Sequence, residues 1–437
     1  MNLKTRKKYY NMCDPYRTLS LSSGDVFDID NYKIDGKLVN VRGTNWAEEI
    51  AEKISWSDRP QVIYFTGYQG SGKTTELNRV QKILENPETG NLLPVYINAL
   101  DYLPILESLD EVDIFSVIIY NVIQTVSEYQ EQGDAFKDGN YFDRFWEWAT
   151  ETEIGLKNIE VGADSSKVVL EMKDNPSFRN RIKQFISDNP TRFKQEVEDE
   201  LYRLNRVVKN YEKDGVKKDG IVVIFDSLEH NRGIGSQAHE VAKSIQKLFA
   251  NRDTLLLPID VIYTIPPYLY TKQIRDIQFL PVVRVVDRDN KSCAEGIEVM
   301  KELLYERIPK DDLMEILGEE EVLEKIIKYS GGYPRDLLKI MQDCILTKQY
   351  PLSSEDLQKI FVELENEYRD NISTVNPEIL RKVHETKELN VDDFKEEEYD
   401  LAEKLFRIHV ILRYRNGKRW FSLNPPTLKV LGIEDAS

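Results

Sequence analysis

Cysteine and histidine are scarce: the 437 residues include three of the first and four of the second. Cys13, Cys293 and Cys344 are widely scattered, with no metal-ligand spacing. That argues against a disulfide framework and fits a reduced, cytoplasmic interior. His230, His239, His384 and His409 form no ligand pattern either. No apolar run approaches the roughly 18 residues that a membrane helix requires. The opening "MNLKTRKKYYNMCDPY" is basic but lacks the apolar stretch of a signal peptide, so no membrane partner is expected. Positive charge is also in deficit, giving a net charge of -17. A field of that sign repels nucleic acid overall and leaves only a local basic patch to bind it.

What is present suits a globular chain. Hydrophobic residues make up 41% and charged residues 31%, enough for an ample core over two or three domains. Residues 1 to about 40 read as an irregular polar lead. "QVIYFTG" (Gln61 to Gly67), "LPVYINAL" (Leu93 to Leu100), "GIVVIFDSLEH" (Gly220 to His230), "LPIDVIYTIPP" (Leu257 to Pro267) and "LPVVRVVD" (Leu280 to Asp287) are buried-strand candidates. Helical patterns alternate with them, which implies an α/β fold with a parallel sheet covered by helices on both faces. Residues 131 to about 215 interrupt the rhythm as an insertion, with a β-hairpin expected over Gly155 to Lys173 and two charged helices after it. From about 297 the pattern is helical. Near the end, "HVILRYRNGKRWFSLNPP" carries Asn416-Gly417 between alternating segments, a hairpin signal. Helices followed by such a ribbon suggest a winged helix. The expected organisation is a lead over 1–37, a core over 38–295, a helical lid over 296–360 and a winged helix over 361–437.

The strongest chemical signal is Gly67-Tyr68-Gln69-Gly70-Ser71-Gly72-Lys73-Thr74, which fits G-x-x-x-x-G-K-[ST] completely, between a strand and a helix. The glycines let the backbone wrap, and loop amides with the helix N-terminus bind phosphate oxygens. Lys73 would reach the β and γ phosphates, Thr74 would ligate Mg²⁺, and Thr75 would add a phosphate contact. Asp226 ends an apolar strand and is suited to hold Mg²⁺ through water. Glu229 lies three residues on, placed to orient or deprotonate the attacking water; otherwise both acids merely cap the next helix. Thr264 ends another strand, as a phosphate contact or a plain strand-end hydroxyl. Arg335 comes after "SGGYP", whose Pro334 sits at a helix start. It either reaches the phosphates or is an exposed helical arginine.

These residues together resemble the AAA+/STAND class of P-loop ATPases. "GYQGSGKTT" looks like Walker A. "IVVIFDSLE" looks like Walker B in its NACHT-like form, with Asp226, Ser227, Leu228 and Glu229 matching in turn; the classical AAA+ acid position holds Ser227. The resemblance implies that Thr264 is sensor 1, that Gly332-Tyr333-Pro334 is the G-x-P motif, with Pro334 by the adenine, and that Arg335 falls near sensor 2. It implies too that "VNVRG", with Val41 and Arg42, lines the base pocket. Arg275 has the approximate position of an arginine finger, which STAND proteins usually lack.

The family implies an ATP- and Mg²⁺-dependent switch, with ATP or ADP bound, a protein partner or separate effector, and homo-oligomers in some members. Such bacterial proteins often serve in signalling or defence against phage. Two other functions stay open. One is a DNA-handling ATPase resembling origin-recognition initiators, using the basic wing of Arg413, Arg415, Lys418 and Arg419. The other is a nucleotide sensor that does not hydrolyse. No guanine-reading Asn-Lys-x-Asp motif is apparent, and no nuclease, protease or TIR-like signature is evident.

Overall fold

The computed structural model describes residues 1–16, 27–130, 165–188, 190–231, 237–272, 274–389 and 404–433. Two compact units divide it. One comprises Ala47–Phe65 and Arg79–Gln278; the other comprises Met1–Trp46, Thr66–Asn78 and Phe279–Ser437.

The first unit holds most of a five-stranded sheet. Its strands are β1 (Val62–Gly67), β2 (Leu92–Asn98), β3 (Gly220–Asp226), β4 (Asp260–Thr264) and β5 (Ile277–Leu280). Their spatial order is β2-β3-β4-β1-β5. The pairs β2–β3, β3–β4 and β4–β1 are parallel. Every residue of β1 and of β3 is buried. Side chains alternate sides along a strand, so total burial means that both sheet faces are covered. The helix Glu111–Tyr129 packs on β2, and Pro190–Asn210 packs on β3. In the latter helix Phe193, Val197, Leu201, Leu204 and Val208 recur at helical spacing and are buried. The described part of the insertion is thus core, joined to the sheet it interrupts.

Three sequence expectations change. The hairpin over Gly155 to Lys173 is replaced, in its described part, by the helix Ser165–Asp174. Val169 and Met172, three apart, are buried there, a helical spacing that the local alternation obscured. The N-terminal lead contains a helix, Leu3–Met12, capped by Asn2. Arg6 donates from Nη2 to the carbonyls of Ile345 (2.6 Å) and Thr347 (2.7 Å), fixing that helix to the end of Pro334–Leu346. Its basic composition hid this role, because arginine serves helix C-termini as readily as solvent. Finally, the strand expected over Leu280 to Asp287 lies earlier, at Ile277–Leu280. Pro281 has no N–H to continue the ladder. Beyond it, Val282, Val283 and Arg284 donate instead to the carbonyls of Arg413, Gly332 and Val41. One apolar run thereby ties together two loops and a strand of the second unit.

That unit is mainly helical. The helices Ala294–Tyr305, Lys310–Leu317, Glu320–Tyr329 and Pro334–Leu346 are followed by Ser354–Ile372 and Pro377–Thr386. An antiparallel ribbon, β6 (Ile411–Asn416) and β7 (Lys418–Leu423), turns at Gly417 with φ +66. Helix Pro377–Thr386 packs on β7.

Candidate functional site

The motif Gly67 to Thr74 forms a turn between β1 and the helix Lys73–Glu85. Gly70 and Gly72 have φ +83 and +93, a region costly for any side chain but hydrogen. The first intrahelical bond runs from Glu76 N–H to the Gly72 carbonyl at 3.0 Å. Lys73, Thr74 and Thr75 therefore form the first helical turn, where amides precede the helix's own acceptors and the dipole favours anions. Lys73 is buried and donates to the carbonyls of Gly67 and Tyr68, both at 3.1 Å. A Cβ on Gly67 would sit 3.0 Å from Ser71 Oγ and 3.1 Å from Leu280, so the turn is closely packed at its entry. At Gly72 a Cβ would meet nothing within 4 Å. A loop wound this way, with a cation at its base and a hydroxyl at Thr74, has the donor set for a polyphosphate and its magnesium.

Residues around the start of the helix Pro334–Leu346 sit against this loop, within the same unit. Pro334 opens the helix Pro334–Leu346 and is buried. Arg335 packs over Gly70, where an added Cβ would lie 2.8 Å from Nε. Its guanidinium also stacks 4.7 Å from the Tyr16 ring centroid. Tyr333 donates its hydroxyl to the Gln69 carbonyl. Tyr68, fully buried, joins an aromatic cluster with Phe406 (stacked, 6.0 Å), Tyr333 and His409. Burial, then the positive charges of Arg335 and Lys73, push the His409 pKa down to about 3. Phe406 and His409 were not among the expected site residues, and Tyr333 entered only as the middle position of the G-x-P motif. Only the glycine turn ahead of Tyr333 offered a signal.

Val41 and Arg42, expected to line a base pocket, have defined partners within their own unit. Val41 is buried, and its carbonyl accepts from Arg284 N–H at 3.0 Å. Arg42 is 1% exposed and grips Asp30 with two bonds of 2.9 and 2.8 Å. It also pairs with Glu76, one turn into the phosphate-loop helix. Burial opposes its charge, but Asp30 and Glu76 outweigh that, and its pKa rises. The guanidinium is thus committed to two carboxylates of its own unit. Nothing local in the sequence announces a pairing across 34 residues.

In the sheet unit, the carboxyl ends of β3 and β4 carry the acidic group. Phe225 pairs with Tyr263 and Phe65 with Thr264, which levels these strand ends. Ligands of open parallel sheets bind at this edge. Asp226 is 2% exposed. It accepts from the Tyr96 hydroxyl at 2.6 Å and from Ser227 N–H at 2.7 Å. Burial, then Asp226, raise the Tyr96 pKa, so that hydroxyl stays a donor. Ser227 is left-handed at φ +70, a strained position for serine. The Thr264 hydroxyl accepts from Leu228 N–H at 3.1 Å, anchoring the turn that presents Glu229. Glu229 itself lies half-buried in the turn Leu228–His230. Tyr96 was missed, although parallel pairing of Asn98 with Asp226 puts it close by.

Arg275 lies in an exposed turn before β5. Of the basic wing residues, Arg413 is buried over Phe279 and Arg415 stacks on Trp46, while Lys418 and Arg419 are exposed. Among the described residues, no helix is long and apolar enough to cross a membrane.

No family model matches this chain, and no curated protein does. Solved structures with some likeness include ORC2 of Aeropyrum pernix in ADPNP and ADP complexes, at 14% identity and TM-score 0.34, covering 89% of this chain and 90% of that one. Cdc6p of Pyrobaculum aerophilum shows 11% identity and TM-score 0.33, covering 89% and 91%. Drosophila ORC bound to DNA shows 10% identity and TM-score 0.32, covering 93% and 97%. Likeness at this level fixes neither activity nor partner.

Proposed function

We propose that this protein is an Mg²⁺-dependent ATPase of the AAA+/STAND type, working as a nucleotide-controlled switch. The observation that carries it is the complete phosphate loop between a buried parallel strand and a helix, with Lys73 folded into its base. Loop residues Gly67 to Thr75 and Lys73 hold the β and γ phosphates in this reading. Thr74 and Asp226 hold the metal, which when bound neutralises phosphate charge. Glu229 takes the proton of the attacking water, and Thr264 positions the Glu229 turn. Arg335 adds positive charge at the loop and makes the lid responsive to nucleotide. Turnover that resets the lid, with a protein effector reading the state, would make the protein a regulator in signalling or defence.

A second reading, nucleic-acid binding of the origin-recognition kind, is favoured by the exposed Lys418 and Arg419 at the ribbon tip. Salt-dependent DNA binding lost on neutralising those two residues tests it. The first reading is tested by ATP binding and phosphate release. Lys73→Ala should weaken binding tenfold or more, and Glu229→Gln should bind ATP but turn over about a hundredfold more slowly. Normal turnover by the Glu229 variant rejects the base assignment. Zero turnover by the wild type, with ADP tightly retained, would make the protein a nucleotide sensor.

A further inference from the structure

A cavity of about 330 Å³ lies in the helical unit, with no phosphate-loop residue in its lining. Its floor is apolar: Val286, Leu423 and Leu428. Its polar lining includes Asn290, Ser292, Ser422 and two lysines, Lys291 and Lys328, and no carboxylate is among the lining residues. That composition stands out in a chain of net charge -17. Both lysines are exposed, and neither forms an ion pair among the described residues. Behind the wall is a third cation. Lys387 is 7% exposed and donates to Asn290 Oδ1 at 2.9 Å and to Ser422 Oγ at 3.4 Å. A buried ammonium is costly unless negative charge or good acceptors face it. Here it orients two groups that line the cavity.

The cavity also borders the lid turn. Gly331 is part of its lining, and the Gly331 carbonyl accepts from Tyr414 at 2.6 Å. Gly331 is left-handed at φ +62, and a Cβ there would lie 2.7 Å from Leu412. Two residues on, Tyr333 bonds to Gln69 of the phosphate loop. Gly331 is thus two residues from a side chain that touches that loop.

We propose that this cavity is an effector site for a small phosphorylated ligand of mononucleotide size. The phosphate sits at Lys291 and Lys328, and the apolar body rests on Val286, Leu423 and Leu428. The volume falls at the low end of ligand pockets, about 300–1,000 Å³. Occupancy braces the Gly331–Tyr333 turn and so alters the phosphate loop's hold on its own ligand. Ligand binding here does not require that the loop bind ATP; only the coupling rests on that reading.

Calorimetric titration with the four nucleoside 5′-monophosphates, and separately with inorganic phosphate, tests the site. At least one monophosphate should bind the wild type and Lys73→Ala with affinities within threefold of each other. The Lys291→Glu/Lys328→Glu variant should bind it at least tenfold more weakly. Ser292→Trp, at another exposed lining residue, should do the same by filling the cavity without changing charge. Both variants alter exposed residues and should unfold like the wild type. Binding that vanishes in Lys73→Ala yet persists in the double variant overturns the proposal, as does the absence of binding by any monophosphate. Inorganic phosphate binding as tightly as the nucleotides would overturn the role of the apolar floor. With binding intact but ATP affinity unchanged by it, the coupling fails while the site stands.

Discussion

Replacing Arg42 by methionine should unfold the phosphate-loop unit far more readily while leaving the loop sequence intact. Asp30, Arg42 and Glu76 are 4%, 1% and 3% exposed, so this cluster is almost dry. Arg42 alone joins the two acids: it bonds Asp30 at 2.9 and 2.8 Å and pairs with Glu76. The side chain of methionine fills much of the same space but removes the cation that bonds both buried carboxylates. Removing one partner of a buried pair costs about 3–5 kcal/mol. Even about 3 kcal/mol shifts the folding equilibrium roughly a hundredfold. Urea unfolding of wild type and Arg42→Met at pH 7 measures the cost. A deficit under about 1 kcal/mol refutes the reasoning. A loss of nucleotide affinity without loss of stability would return Arg42 to the base pocket.

Other outcomes rest on the same geometry. Gly332→Ala should destabilise strongly, by more than about 2 kcal/mol, because its Cβ would lie 1.8 Å from the Val283 carbonyl at φ +73; thermal unfolding reads this. Gly70→Ala should cost about 1–2 kcal/mol in backbone strain and push Arg335 off the loop, weakening ATP binding in a filter assay. His409 is held neutral in the fold with its pKa near 3, so its contribution is whole above pH 6.5 and lost as pH falls toward 3. Each pH unit below about 6.5 should remove up to about 1.4 kcal/mol, and His409→Gln should flatten that slope in acid titrations. Tyr96→Phe removes the hydroxyl donated to Asp226 and should weaken Mg²⁺-dependent ATP binding while leaving Mg²⁺-independent binding unchanged.

Much of the architecture was legible because it is written in short periods. Continuous apolar runs of strand length marked β1 to β4, and Asn416-Gly417 marked the ribbon. The misreadings were local conflicts. Val168-Val169 resembles strand in isolation, yet its segment is helical, and Pro281 broke a run that otherwise reads as strand. Of the candidate site, the phosphate loop was readable since its glycines and lysine are consecutive. The uses of Arg42, Thr264 and the wing arginines were not. Each side chain has several polar or aromatic partners open to it, and the partner taken lies far along the chain.

The sequence by itself determined the strand–turn–helix of Gly67 to Thr75, the acid at the end of β3, and the parallel order implied by alternating strands and helices. Backbone conformation and apolar period are local properties, fixed within a few residues. Tertiary structure decided that Arg42 belongs to Asp30 and Glu76, that Tyr333 and Arg335 rest on the phosphate loop, and that Thr264 anchors the Glu229 turn. Burial removes water as the competing partner, so each of these polar groups takes whichever neighbour the folded chain supplies.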